Sequence, residues 1–258
     1  MELRPLGSTG LRVSPIGLGT VKLGRDRGLK YAAPARIPSD DEAVALLRTA
    51  HQLGVNLIDT APAYGTSEER LGKLLYAVAP RQAWVLCTKA GEEFDPTSAT
   101  SRYDFSPAAI TASVERSLRR LGTDRLDIVL LHFGGSDDTD AKVLAKGEAI
   151  GALRDLRRRG SIRCIGASTG TAEGARLAVE HGDVVMLTLN PNAQQDRPWI
   201  EAACQRGLGV LIKKPLGSGH ATDPAEALRM ALATPGVSSA VIGTSSAANL
   251  RANVAAIE

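Results

Sequence analysis

Apolar positions gather into eight short runs: Val13 to Gly19, Val55 to Thr60, Trp84 to Lys89, Leu126 to His132, Ile162 to Ser168, Val184 to Asn190, Gly209 to Lys214 and Ser239 to Thr244. Most lack apolar–polar alternation, the pattern of strands buried on both faces in a parallel sheet. Between them lie stretches of helical period with recognisable starts, among them Ser39 before Asp40-Asp41-Glu42, Ser67 before Glu68-Glu69, and Ser106-Pro107 before Ala108. Connections such as Gly122-Thr123-Asp124-Arg125 and Arg159-Gly160-Ser161 are short and put glycine where a helix must stop. Strand and helix alternate with no interrupting linker, which predicts an α/β fold, a (β/α)8 TIM barrel, over residues 1–258 as one domain.

Ahead of this alternation, Leu3 to Val13 carries Gly7-Ser8-Thr9-Gly10 between short apolar stretches, the signature of an N-terminal β-hairpin placed to cap the barrel floor. Lys22 to Pro38 has mixed charge and no period, and reads as a long loop folded over the mouth of the barrel. Arg119-Arg120 and Arg157-Arg158-Arg159 fall at helix ends, where positive charge opposes the helix dipole, so they read as solvated ends rather than binding sites.

Composition narrows the function. The 258 residues, 43% hydrophobic, suffice for one large core, and 31 Lys and Arg against 28 Asp and Glu leave a net charge of only +3, too little to predict nucleic-acid binding. No apolar run approaches the length of a membrane span, and Met1-Glu2-Leu3-Arg4-Pro5 leads into none, so the expected location is the cytoplasm with no membrane partner. Cys87, Cys164 and Cys204 have no metal-ligand spacing; they read as small reduced core residues, and no metal site is expected.

The chemistry sits at the strand ends. Asp59, Lys89 and His132 each close an apolar run, and parallel barrel strands all end on one face, so the three converge at the mouth, with Tyr64 just beyond Asp59. Each alone has a bland reading: Asp59 a turn cap, Lys89 a snorkelling side chain, His132 a partner for a carbonyl, Tyr64 packing. Together they make a different case. An ammonium near a phenol favours the phenolate, and a carboxylate near the ammonium offsets its desolvation.

The segment Leu57-Ile58-Asp59-Thr60-Ala61-Pro62-Ala63-Tyr64-Gly65, followed by Ser67-Glu68-Glu69-Arg70-Leu71-Gly72, closely resembles the signature of the aldo-keto reductase family. The resemblance continues through Cys87 to Gly91, Ser113 to Gly122, Leu130-Leu131-His132, Gly160 to Ser168 and Gly243 to Asn253, in family order over essentially the whole chain. It implies NAD(P)H-dependent reduction of a small aldehyde, ketone or sugar-like carbonyl. Tyr64 would be the proton donor, Lys89 and Asp59 would tune it, and His132 would orient the carbonyl.

No Gly-x-Gly-x-x-Gly follows the first strand, so a dinucleotide would not be held by a Rossmann turn. The resemblance instead puts the cofactor along the strand ends: Gly19 and Thr20 after the first, the nicotinamide amide near Ser168, the pyrophosphate against Leu216 and Ser218, and the adenosine end near Gly243, Thr244, Ser245, Asn249 and Asn253. Lys214 either reaches a cofactor phosphate or alternates with Lys213 between mouth and exterior. Thr244 or Ser245 also reads as a helix cap, which does not exclude phosphate binding.

Several residues depart from the family's usual pattern: Thr169 where Asn commonly follows Ser168, Met186 where a Gln holds the amide, Lys213 where a ring stacks on nicotinamide, and Gly243 and Asn249 where bases grip a 2′-phosphate. Arg251 is the nearest remaining base, and the resemblance favours NADP(H), with NAD(H) as the alternative. Tyr103, Phe105 and Trp199 are either aromatic walls of the substrate site or packing residues. Three rival readings stay open: NAD-dependent sugar or alcohol oxidation by the same site, a nicotinamide-binding regulatory or redox-sensing barrel with little turnover, and Schiff-base chemistry on Lys89.

Overall fold

The computed structural model describes residues 1–29, 36–134 and 139–258. Its first elements are β1 (Arg4–Pro5), β2 (Arg12–Val13), β3 (Ile16–Gly19), α1 (Val21–Gly24), α2 (Asp40–Gln52), β4 (Leu57–Asp59), a 3₁₀ turn at Pro62–Tyr64 and α3 (Ser67–Leu74). Then come β5 (Val85–Ala90), β6 (Glu92–Asp95), β7 (Thr100–Tyr103), α4 (Pro107–Leu121), β8 (Leu126–His132), α5 (Thr139–Lys146) and α6 (Glu148–Arg158). The chain closes through β9 (Ile162–Ser168), α7 (Ala172–His181), β10 (Val184–Thr188), α8 (Arg197–Gln205), β11 (Gly209–Lys213), α9 (Pro224–Ala233), β12 (Val237–Gly243) and α10 (Ala247–Ala255).

Strands β3, β4, β5, β8, β9, β10, β11 and β12 pair in that order into a closed barrel. Every pairing is parallel, and β12 returns to β3 through Ala240↔Ile16 and Gly243↔Gly19. Helices surround it, so the expected (β/α)8 architecture is the observed one. Side chains pointing inward, among them Leu57, Cys87, Ile128, Leu130, Met186 and Leu211, fill the barrel and make one cluster with Leu6, Leu11 and Val13 of the hairpin. Outward-pointing Ile58, Leu86 and Val129 pack with Leu46, Leu47, Val114 and Leu153 of the helices. Each such leucine, removed from water, contributes roughly 2 kcal/mol before the entropy of ordering is counted.

The hairpin closes the floor as expected. Arg4 and Pro5 pair with Val13 and Arg12, and Leu6 is fully buried against the barrel interior. The Arg4 guanidinium donates to the carbonyls of Leu232 at 2.9 Å and Val237 at 3.2 Å, fastening the hairpin beside the start of β12.

Three expectations are corrected. Ser67 is the first residue of α3 and not its cap, because its hydroxyl is drawn to Thr20, lying 3.0 Å from the carbonyl and 2.9 Å from Oγ1. Ser246, rather than Thr244 or Ser245, caps α10 by accepting from Asn249 N, while Thr244 Oγ1 accepts from Ser246 N at 3.0 Å. Cys204 is exposed, whereas Cys87 and Cys164 are buried, because it lies on the outer face of α8. Ser39 and Ser106 do cap α2 and α4, the former in a reciprocal capping box with Glu42.

The stretch expected to be a loop from Lys22 to Pro38 begins with helical residues in α1, and its residues 30–35 lie outside the described ones. Among the described residues, no helix is long and apolar enough to cross a membrane.

Candidate active site

β4, β5 and β8 are adjacent in the barrel, so their C-terminal ends bring Asp59, Lys89 and His132 to one rim. Lys89 is fully buried and makes an ion pair with Asp59 Oδ1 while donating to Thr60 O at 3.0 Å. Burial works against its ammonium, but the Asp59 carboxylate more than offsets this and holds the lysine well above its ordinary range. The same burial pushes the neighbouring Cys87 thiol far up, so Cys87 stays a neutral core group. A fully buried, paired Lys89 has no exposed amine to offer a carbonyl, which counts against Schiff-base chemistry there.

Tyr64 ends the 3₁₀ turn after β4, with its ring centroid 6.0 Å from Lys89 Nζ and 6.1 Å from the His132 ring, to which it stands edge-on at 83°. The turn is fixed by a close backbone crossing. Gly65 has φ +61°, and a Cβ on it would lie 2.2 Å from Gly24 O, so a side chain there meets both conformational strain and a clash. Arg25 braces the same crossing: it donates to Ala63 O at 2.9 Å, Arg27 O at 2.9 Å and Gly28 O at 3.2 Å, and its guanidinium lies 3.8 Å from the Phe94 ring centre.

Tyr64, His132 and Asp59 line a cavity of about 530 Å³, joined by Gly19, Lys22, Leu29, Phe133, Ser168 and Met186. Its far wall is Lys213, Lys214, Pro215, Leu216, Ser218, Gly219 and Gly243. The structure thus brings together the four catalytic candidates, with Lys89 behind the lining, and five cofactor candidates besides Gly19: Ser168, Lys214, Leu216, Ser218 and Gly243. It does not bring Thr20 there: that side chain is buried and spent on Asp59 O at 2.9 Å. Thr244 and Ser245, just before α10, and Asn249 and Asn253, in its first and last turns, lie beyond the lining. Arg251 is also on α10 and donates to Thr49 Oγ1 at 3.2 Å.

Lys214 and Ser218 are two of three non-glycine residues with left-handed backbone among those described, at φ +53° and +59°. Such residues cost roughly 1–2 kcal/mol each, and strain held at a cavity wall points to a wall shaped for a ligand. Lys213 is only partly exposed; its Nζ reaches Ser168 Oγ at 3.1 Å and Thr169 O at 2.5 Å. Burial, helped by the charge of Lys214, lowers its pKa to about 8.

The aromatic residues considered for the wall, Tyr103, Phe105 and Trp199, are all outside the lining, and Phe133 lines the cavity beside Tyr64 instead. Tyr103, Phe105 and Phe133 form a stacked series behind it, with centroid separations of 6.5 and 4.7 Å. Sequence reasoning missed Glu92. This buried carboxylate opens β6, with Oε2 2.8 Å from His132 Nδ1 and Oε1 accepting from Tyr103 Oη at 3.1 Å. Its signal was an acid three residues past Lys89, at the same rim.

Residues 15–226 match the model of the aldo/keto reductase family. The chain is 30% identical to the L-galactose dehydrogenase of Arabidopsis thaliana over 100% of its own length and 88% of that protein's. It is 32% identical to the NADH-specific methylglyoxal reductase of Escherichia coli (strain K12), over 86% of this chain and 69% of that one. Among solved structures, the holo form of an aldo-keto reductase from Bacillus halodurans superposes with a TM-score of 0.81 at 27% identity, covering 100% of this chain and 91% of that one.

Proposed function

The chain belongs to the aldo/keto reductase family, and on that footing we propose that it is a single-domain cytoplasmic enzyme that reduces a small aldehyde, ketone or sugar-like carbonyl at the expense of a nicotinamide cofactor. The observation that carries this reading is the buried Lys89–Asp59 pair set behind Tyr64, with Tyr64 and His132 both facing one cavity.

The residues present fit a nicotinamide dinucleotide. The strained, glycine-rich wall from Lys214 to Gly219 and the ammonium of Lys214 suit its phosphates, and Ser168 with Lys213 offers polar contacts nearer Tyr64. When bound, the reduced cofactor supplies the hydride. The carbonyl oxygen then gains negative charge, which the protein must meet at that moment. Tyr64 gives it a proton, and the charge left on the phenol oxygen is stabilised by Lys89, itself kept cationic by Asp59. His132, edge-on to Tyr64, holds the carbonyl oxygen against the hydroxyl. Packing of Phe133 and Met186 around the cavity limits water near the reacting atoms.

Run in reverse, the same groups oxidise an alcohol or sugar, the direction in the name of the Arabidopsis relative. NADP(H) is the favoured cofactor, with Arg251 as the base nearest the adenosine end, and NAD(H) is the alternative. Absorbance at the reduced-nicotinamide band, followed with each cofactor against a panel of 2-oxoaldehydes, simple ketones and aldoses, should show carbonyl-dependent oxidation. Tight cofactor binding with no turnover on the whole panel would replace the enzyme with a regulatory barrel.

A further inference from the structure

We propose that Glu92 is a positioning residue for His132: it fixes the imidazole by keeping a proton on Nδ1, so that the ring presents Nε2 to the cavity. This deepens the reductase reading, since His132 is taken there to hold the carbonyl oxygen.

The placement of Glu92 is specific. It directly follows Gly91 at the end of β5 and opens a hairpin in which it pairs with Tyr103 across β6 and β7. Its carboxylate is taken out of water by this packing, at 6% exposure, and its two oxygens have different partners, His132 Nδ1 at 2.8 Å and Tyr103 Oη at 3.1 Å. The line from Nδ1 to Oε2 departs from the ring's N–H direction, so the contact is close without being an aligned hydrogen bond. Nδ1 is itself buried with no aligned partner among the described residues, leaving Glu92 as the group that meets it. Burial alone would favour the neutral acid, but the contacts with His132, Ser101 and Tyr103 together outweigh it and hold the Glu92 carboxyl at about 2.

An ionised carboxylate can only accept, so it favours the ring form with hydrogen on Nδ1. A ring held this way donates to a substrate oxygen through Nε2 only when both nitrogens carry a proton. Glu92 therefore sets the orientation of His132 and makes its donating form the charged one. The hairpin maintains the arrangement from behind. A Cβ at Gly134 would lie 1.9 Å from Tyr103 Oη, so the residue two places after His132 must lack a side chain for Tyr103 to reach Glu92. Among the described residues, Tyr64 from the turn after β4 and Arg25 from the segment after α1 are further ionisable groups near this pair.

The test is nitrogen NMR of the histidine side chains in the full chain, which has 4 histidines, with His132 assigned from a His132→Asn variant. The wild type should show hydrogen on Nδ1 of His132; Glu92→Gln, of the same shape, should lose that preference, and Glu92→Asp should recover part of it. Alongside, kcat/KM for the carbonyl should fall at least about tenfold in Glu92→Gln with the Kd for the cofactor unchanged. A wild-type His132 with bare Nδ1, or signals in Glu92→Gln superimposable on the wild type, would overturn the proposal. The NMR result stands without turnover, so a chain that reduces no carbonyl but shows the Nδ1 shift counts against the functional reading and not against Glu92.

Discussion

Lys213 Nζ lies 3.1 Å from Ser168 Oγ, a contact that reaches from β11 to β9 over the intervening β10 and ties two walls of the cavity together. The ammonium that makes it is weakened by burial and by Lys214, which bring its pKa from 10.5 to about 8. In the unfolded chain the lysine keeps its proton up to its ordinary value, so between about 8 and 10.5 the unfolded state binds more protons and native stability rises with pH. The penalty is fully present below 8 and is relieved above it. Lys213→Met removes both the penalty and the contacts, so the Tm difference, variant minus wild type, should fall between pH 7 and pH 10 by about 2–4 °C, the equivalent of roughly 1 kcal/mol after discounting for partial exposure. A difference that stays flat over this range would show that the ammonium is not weakened.

Tyr64→Phe keeps the ring beside His132 and removes only the hydroxyl. Turnover should drop by about 10²–10⁴-fold while cofactor affinity, measured by fluorescence titration, is unchanged. Activity surviving that substitution would assign the proton to another group.

Asp59→Asn leaves the Lys89 ammonium fully buried without its charge partner. Breaking a buried pair in this way costs roughly 3–5 kcal/mol, so Tm should fall by on the order of 10 °C. The double variant Asp59→Asn with Lys89→Met should recover much of the loss, although not the activity. Equal Tm values for the single and double variants would mean that the unpaired charge is not what destabilises the single one.

Arg251→Ala addresses the cofactor. If the guanidinium leaves Thr49 to meet a 2′-phosphate, the variant should bind NADPH roughly tenfold more weakly, about 1.4 kcal/mol, with NADH binding unaltered. A wild type that binds both equally well, or NADH better, would assign NAD(H).

The barrel was legible because its strands are continuous apolar runs that end on ionisable residues, and a parallel barrel sends all those ends to one face. Asp59, Lys89 and His132 could be placed together on that ground alone. Glu92 could not: the residues after Gly91 are too polar to read as a strand, and the hairpin they form is held by its own Tyr103 and by Arg25 against Phe94, a partner distant in the sequence. The Lys213–Ser168 contact was hidden for a similar reason, since it joins residues 45 apart across a third strand. Caps were read well where a single candidate stood before the helix, as at Ser39, and badly where Thr244, Ser245 and Ser246 followed one another and the backbone decided among them.

Arg25 touches the carbonyl before Tyr64, the segment that runs to Gly28 and Leu29 on the cavity wall, and the ring of Phe94 beside Glu92. One guanidinium therefore joins three segments around the cavity: the turn that carries Tyr64, the stretch at Gly28 and Leu29, and the hairpin that carries Glu92. A single substitution at Arg25 would therefore remove the bond to the Tyr64 turn and the contact with the Glu92 hairpin together.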